Sequence, residues 1–314
     1  DIILEIIKSK IYISEIFPFF SSQFTQVLVI CIDILSKEPS ETIAIPELRN
    51  SCCKYIIELI KKSSVVFNEE DNIGCRIPFL LQALPNSFQI NEPILYKNLI
   101  KLLNTIIENF YTETPKFIET IILYVANGIN LIEINPLFSS FSIEFWNNVA
   151  KFERKVIEKS QYSENEIQPL QPLLSEIAIK PLIELFVHYV EIMDFNDIEV
   201  ENENRTDEHK FLIATFESIY KISHSIFDLL KDLIDEQLMK ENWTNIYSGI
   251  LLIYSIVNEP LDLEVGTFAV NHLDFLFQKI TPDQVPRLRY NSLLVIGSII
   301  GNYSQIFLQQ NEFV

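Results

Sequence analysis

The sequence predicts an all-α fold built as a superhelix of stacked antiparallel helix pairs, and three observations lead there. Hydrophobic residues make up 48% of the chain while glycine numbers only 6, so long apolar-faced segments run with few of the flexible breaks that a strand-and-turn fold needs. Apolar side chains recur at the 3.6-residue spacing of a helix face. Prolines stand where helices begin, because at the first helical position the missing N–H would have had no partner. Pro46, Pro93, Pro115, Pro136, Pro181 and Pro286 all fit such starts, with Thr114 and Asn135 supplying N-cap side chains ahead of two of them.

The elements follow in order. From Pro93, the residues Ile94, Leu95, Leu99, Ile100, Leu102, Leu103, Ile106, Ile107 and Phe110 mark a wide apolar face that needs neighbours on more than one side. Pro115 to about Val125 forms the next helix, with Phe117, Ile118, Ile121, Ile122 and Val125 on one side; another runs through Phe141, Phe145, Trp146, Val149 and Phe152. Pro181 to Val190 and Lys210 to Ile234 continue the pattern. The last third reads as helices over about Asn242–Val257, Asp262–Ile280 and Pro286–Ile300, joined by Asn258-Glu259-Pro260 and Thr281-Pro282-Asp283. The distance from Asn242 to Pro286 matches the roughly 40 to 47 residues of one HEAT or armadillo unit. A helix pair of that size cannot bury its apolar face alone, so units stack and the array grows. The expected organisation is thus a single HEAT/armadillo-like array over 1–314. Asp1 already lies within a helical pattern (Ile2, Ile3, Ile6, Ile7), so the chain reads as an internal piece of a longer protein.

Two polar stretches interrupt the rhythm. One is Asn68 to Asn72. The other, at about 191–208, carries eight acids against the single Arg205 and reads as an acidic loop. Its Glu199, Glu201, Glu203, Asp207 and Glu208 are the candidate contacts for a basic protein partner. The whole chain points the same way: its formal net charge is -19, a field that repels phosphate backbones, excludes direct nucleic-acid binding and attracts basic polypeptides. No apolar run reaches the roughly 18 residues of a membrane span, so membrane insertion is not expected.

Little in the sequence suggests catalysis. His188, His209, His224 and His272 lack a second His or Cys at the spacing that puts two metal ligands on one helix face, so no metal is expected. Gly297 and Gly301 lie inside a helical segment and read as small residues permitting close helix packing, not as a phosphate loop. Trp146 and Trp243 read as core anchors. Cys31, Cys52, Cys53 and Cys75 have no C-x-x-C spacing and read as buried reduced thiols. Asn242-Trp243-Thr244 and Asn302-Tyr303-Ser304 match the glycosylation triplet by chance. No cofactor site and no enzyme activity are expected.

Three features, in this order, resemble the importin-β superfamily of nuclear transport receptors, the karyopherins, and within it the branch of transportin-SR, importin-13 and the yeast Mtr-ten protein. Phe141-Ser-Ile-Glu-Phe-Trp146-Asn-Asn-Val149 is similar to that branch's aromatic helix. An amphipathic helix, an acidic insertion and a helix from Lys210 then follow in the branch's order. Finally, Pro286-Arg-Leu-Arg-Tyr290-Asn-Ser-Leu-Leu-Val-Ile-Gly297 with Asn302-Tyr303-Ser304-Gln305-Ile-Phe307 is similar to its Arg-Tyr-x-Ser-x-x-x-x-Gly helix and the segment after it. The resemblance covers about Phe117 to Phe307. It implies a non-enzymatic receptor shuttling between nucleus and cytoplasm, and it favours import over export. It also implies cargo and the GTPase Ran on a concave face, Ran through a part outside this chain, and nuclear-pore Phe-Gly repeats on a convex face. The alternative reading is a HEAT-repeat scaffold of a trafficking or assembly complex.

Overall fold

The computed structural model describes residues 13–41, 45–61, 76–130, 136–161, 167–179, 227–258 and 263–311, with Ile183, Ala214, Glu217 and Tyr220 as single positions. Among the described residues every regular element is helical. The chain divides into two compact units, 1–149 and 150–314.

The first unit contains α1 (Ile13–Ser36), α2 (Pro46–Lys61), α3 (Ile77–Ala83), α4 (Pro85–Phe88), α5 (Pro93–Asn109), a 3-10 helix (Tyr111–Lys116), α6 (Ile118–Asn130) and the first part of α7 (Pro136–Ser160). These fall into two rows. In one row α1 packs on α3 and α4, and α4 on α6; the Tyr124 hydroxyl of α6 donates to the Leu81 carbonyl of α3 at 2.7 Å. In the other, α2 packs along α5, where the Asn98 amide donates to the Asn50 side-chain oxygen at 2.9 Å. Tyr96 of α5 then meets Ser142 of α7 at 2.8 Å. Successive second-row helices begin at Pro46, Pro93 and Pro136, each with proline first, at the roughly 40-to-47-residue interval of a HEAT or armadillo unit.

Most of the wide apolar face of α5 is realised, with Leu95, Leu99, Ile100, Leu102, Leu103, Ile106 and Ile107 buried, while Ile94 in the first turn is exposed and Phe110 at the end is half-buried. Its start is capped by Glu92, whose carboxylate accepts from the Ile94 N–H at 3.1 Å and from the Leu95 N–H, closing two donors that the helix leaves open. The expected start at Pro115 is corrected. Thr114 does not cap forward; its hydroxyl bonds back to the Phe110 carbonyl at 2.9 Å. Pro115 thus lies inside the 3-10 turn and α6 begins at Ile118, as expected where Thr finds a local backbone acceptor.

The second unit contains the rest of α7, a helical turn at 174–179, α8 (Phe227–Met239), α9 (Trp243–Val257), α10 (Leu263–Asn271), α11 (Leu273–Gln278) and α12 (Pro286–Asn311). The two-row scheme recurs. Phe227 of α8 meets Phe268 of α10 edge to face, with ring centroids 5.7 Å apart, while α9 and α12 lie side by side. Asn242 is the N-cap of α9, its side-chain oxygen accepting from the Thr244 N–H at 3.1 Å. Enclosed by α8, α10 and α12, α9 buries every residue from Thr244 to Val257 except Tyr254.

The single helix expected over Asp262–Ile280 is broken at His272. The His272 N–H bonds to the Ala269 carbonyl, and the ring Nδ1 lies 2.9 Å from the Phe268 carbonyl, the acceptor that an unbroken helix would give to that N–H. The final helix outruns its expected end at Ile300 and reaches Asn311 with a local departure at Tyr303 (φ -125, ψ 27).

Candidate interaction surfaces

Two buried charges hold helix ends, one in each unit. Arg49 of α2 is fully buried, yet its guanidinium donates to the carbonyls of Leu35 (2.8 Å), Lys37 (2.6 Å) and Glu38 (3.3 Å) and to the Ser87 hydroxyl (2.7 Å). Those carbonyls close the C-terminal end of α1, where unpaired acceptors and the helix dipole both favour a cation. Ser87 passes its own proton to the Leu35 carbonyl at 2.8 Å, so three helices meet on one side chain. Burial lowers the guanidinium pKa from its ordinary value and Glu41 opposes that fall. Glu153 of α7 mirrors this arrangement. Its carboxylate accepts from the backbone N–H groups of Leu174 (2.7 Å) and Ser175 (3.1 Å) and from the Ser175 hydroxyl, an anion on the first N–H groups of a helical turn. These sites bind the protein to itself. Neither was singled out from sequence, since burial separates them from other Arg and Glu residues and periodicity does not report it.

Glu199, Glu201, Glu203, Asp207 and Glu208 lie outside the described residues, as do the rest of the 191–208 stretch, Asn68 to Asn72, Cys75, His188, His209 and His224. Among the described residues no group of three or more His, Cys, Asp or Glu is placed to hold a metal, and no helix is long and apolar enough to cross a membrane. His272 pairs instead with Asp235 of α8, Nε2 to carboxylate oxygen at 3.0 Å, tying α10 to α8. Cys31, Cys52 and Cys53 are buried free thiols. A thiol hydrogen bond with Cys52, together with burial, pushes Cys31 up in pKa. The same bond draws Cys52 down, and burial pushes Cys53 up.

The motif residues that carry the family resemblance are mostly core. Ile143, Phe145, Trp146 and Val149 are buried, and Phe145 meets Trp146 edge to face at 5.0 Å; Trp146 is the anchor its sequence suggested. Trp243, by contrast, is half-buried at the start of α9, tilted against Tyr247 at 6.3 Å. In α12, Leu288, Asn291 and Ser292 are buried while Tyr290 and Leu293 are exposed. The close-packing role expected for Gly297 and Gly301 is corrected: among the described residues nothing lies within 4 Å of a side-chain carbon placed at either. Close packing occurs instead at Gly249, where such a carbon would come within 2.7 Å of Leu238 Cδ2, and at Gly266 against Tyr303 and Ile306.

What remains for a partner is exposed apolar surface. Phe79 of α3 is 63% exposed and Leu123 of α6 is 69% exposed, on helices joined by the Tyr124–Leu81 bond. Burying either stabilises a complex by roughly 1.5–3 kcal/mol, and neither is singled out by its apolar pattern, because each sits beside core residues on its own helix.

No protein-family model matches the chain, and no curated protein matches it. Solved structures do. The structure of yeast importin-β (Kap95p) superposes with a TM-score of 0.63 at 15% identity, covering 91% of this chain and 32% of that one. Kap95p described with RanGDP gives 0.64 at 15% identity, covering 88% and 31%. Kap121p bound to Nup53p gives 0.67 at 13% identity, covering 96% and 29%. The chain therefore spans about a third of the length of the structures it resembles. At such identities the likeness establishes architecture alone, a helical-repeat stack of the kind those structures have.

Proposed function

We propose that this chain is a stretch of a nuclear transport receptor, a non-enzymatic binding surface for protein cargo in nucleocytoplasmic transport. The observation that carries this reading is the two-row helix-pair architecture, shared over most of the chain with karyopherins whose solved complexes contain Ran, Nup proteins and a phosphatase C-terminus. The two units are consecutive stretches of one array over 1–314, interrupted by the acidic loop at 191–208. The cargo is basic protein, attracted by the net charge of -19 and held in part by Glu199, Glu201, Glu203, Asp207 and Glu208. Transport runs inward, the protein shuttles between cytoplasm and nucleus, and Ran acts through a part of the protein outside this chain. Within the karyopherins, the transportin-SR and importin-13 branch is the one the sequence motifs favour.

Phe-Gly repeats of the nuclear pore would dock on exposed apolar side chains, and Phe79 with Leu123 supplies such a pair on neighbouring helices. The test is retention of this chain on immobilised Phe-Gly repeats. We expect retention by the unaltered protein and a loss of roughly ten-fold or more in affinity for the Phe79→Ser, Leu123→Ser double variant, since removing about 1.4 kcal/mol is ten-fold. No retention of the unaltered chain would favour the alternative, a static scaffold of a trafficking or assembly complex.

A further inference from the structure

Arg49 fixes the register between α1 and α2. Its guanidinium donates to the Leu35 carbonyl at 2.8 Å, so position 49 of α2 stands against position 35 of α1 where the two helices pack. One turn back along α1 from Leu35 is Cys31, and one turn forward along α2 from Arg49 are Cys52 and Cys53. The thiol in hydrogen-bond contact with Cys31 is that of Cys52. Adjacent residues on a helix point about 100° apart, so Cys53 is directed away from that contact. All three are buried and free.

This pair differs from an ordinary core cysteine because two sulfurs from different helices meet with a buried cation one turn away. The bond with Cys31 draws Cys52 below the ordinary thiol pKa and Arg49 adds to that, against burial. Cys31 is pushed up and keeps its proton. Cys52 is thus the attacking sulfur and Cys31 the one that resolves.

We propose that Cys31 and Cys52 form a redox-sensitive staple across α1 and α2, closed by a peroxide and opened by a thiol reductant. The Cys52 thiol loses its proton and its sulfur attacks one oxygen of the peroxide. The O–O bond breaks, and the departing hydroxide takes up that proton as water, leaving Cys52 as a sulfenic acid. The Cys31 thiol then loses its proton and its sulfur attacks the Cys52 sulfur; the S–O bond breaks and the second hydroxide leaves as water. Two thiols are oxidised to one disulfide while hydrogen peroxide is reduced to two waters. Because both sulfurs are buried, the oxidant must be small enough to enter on local opening of the pair, which favours hydrogen peroxide over a disulfide the size of oxidised glutathione. The bond joins the same two helices that Arg49 joins by hydrogen bonds, and it stabilises them by constraining the unfolded chain. The inference rests on the first unit alone and holds whether or not the protein serves transport.

The test is dilute hydrogen peroxide on the folded natural protein, followed by tryptic mapping, which separates the two cysteines at Lys37 and Arg49. Met239, 83% exposed, reports through its sulfoxide that the oxidant has acted. We expect a Cys31–Cys52 cross-linked peptide, lighter by two hydrogens than its parts, at least ten-fold more abundant than any species linked through Cys53, and lost with dithiothreitol. The thermal midpoint should rise by several degrees on oxidation and return on reduction. Cys53→Ser should keep both effects and Cys52→Ser should lose both. Oxidised Met239 without the Cys31–Cys52 link would overturn the proposal, as would a link made chiefly through Cys53 or a midpoint that stays or falls when the link forms.

Discussion

Arg49 shows how one side chain decides whether a helix end is tolerable inside a protein. Its donors reach the carbonyls of Leu35, Lys37 and Glu38 at the end of α1. Although the Leu35 carbonyl also accepts from Ser87 and the Glu38 carbonyl from the Glu41 N–H, hydrogen bonds from a charged donor contribute about 1.5–3 kcal/mol each. Arg49→Met is therefore expected to lower unfolding free energy by about 3 kcal/mol in urea denaturation, with Arg49→Lys recovering only part, because an ammonium cannot span the same fork of acceptors. An effect below about 0.5 kcal/mol, the scale of an ordinary surface substitution, would show that the network is dispensable. The thiols respond to burial differently. Cys31 and Cys53, both pushed up in pKa, are expected to resist alkylation at pH 8 in the native protein and to react once urea unfolds it, because only a thiolate attacks. Mass spectrometry of the labelled peptides checks this. The burial of the cysteines was legible in the sequence, whereas Arg49 looked like any basic residue on an amphipathic helix.

At the level of helices, what the sequence revealed and what it concealed follow from how each end is satisfied. Pro46, Pro93 and Pro286 each head a helix, since a proline there forfeits no hydrogen bond. Pro115 fails the same rule because Thr114 spends its hydroxyl on Phe110. The short helices α3 and α4 escaped notice altogether: seven and four residues long, they present too few turns for a periodic face to register. The His272 ring takes the place of its backbone N–H at the Phe268 carbonyl where the helix breaks, a side-chain effect no apolar pattern carries. Glycine contexts diverge as sharply. Gly249→Ala is expected to destabilise by roughly 1–3 kcal/mol through the clash with Leu238. Gly297→Ala, facing open space in this chain, should instead stabilise it by about 0.5–1 kcal/mol by helix propensity. Thermal unfolding of the two variants side by side reads the difference, and destabilisation by both would contradict the packing described for α12.

Across the whole molecule, the stacking of helix pairs was legible because it is a statement about apolar surface: segments as broad-faced as α5 and as uniformly apolar as α9 need neighbours on several sides. The exposed pair Phe79 and Leu123 was not legible, since exposure depends on which neighbours arrive. The acidic stretch is a matter of charge, and its role is tested by charge. Replacing Glu199, Glu201, Glu203, Asp207 and Glu208 with the corresponding amides should weaken binding of a basic cargo peptide several-fold at low salt. The difference should shrink as ionic strength approaches 1 M, where the Debye length falls to about 3 Å. Equal affinities at low salt would remove the stretch from recognition.

The central claim is that these stacked helices carry cargo for a Ran-controlled receptor. It is tested most directly by measuring the affinity of the natural protein for a basic cargo peptide with and without GTP-loaded Ran. For an import receptor the account predicts tight binding in the absence of Ran and at least a ten-fold loss in its presence. An affinity indifferent to GTP-loaded Ran, in a protein shown to be folded, would contradict it.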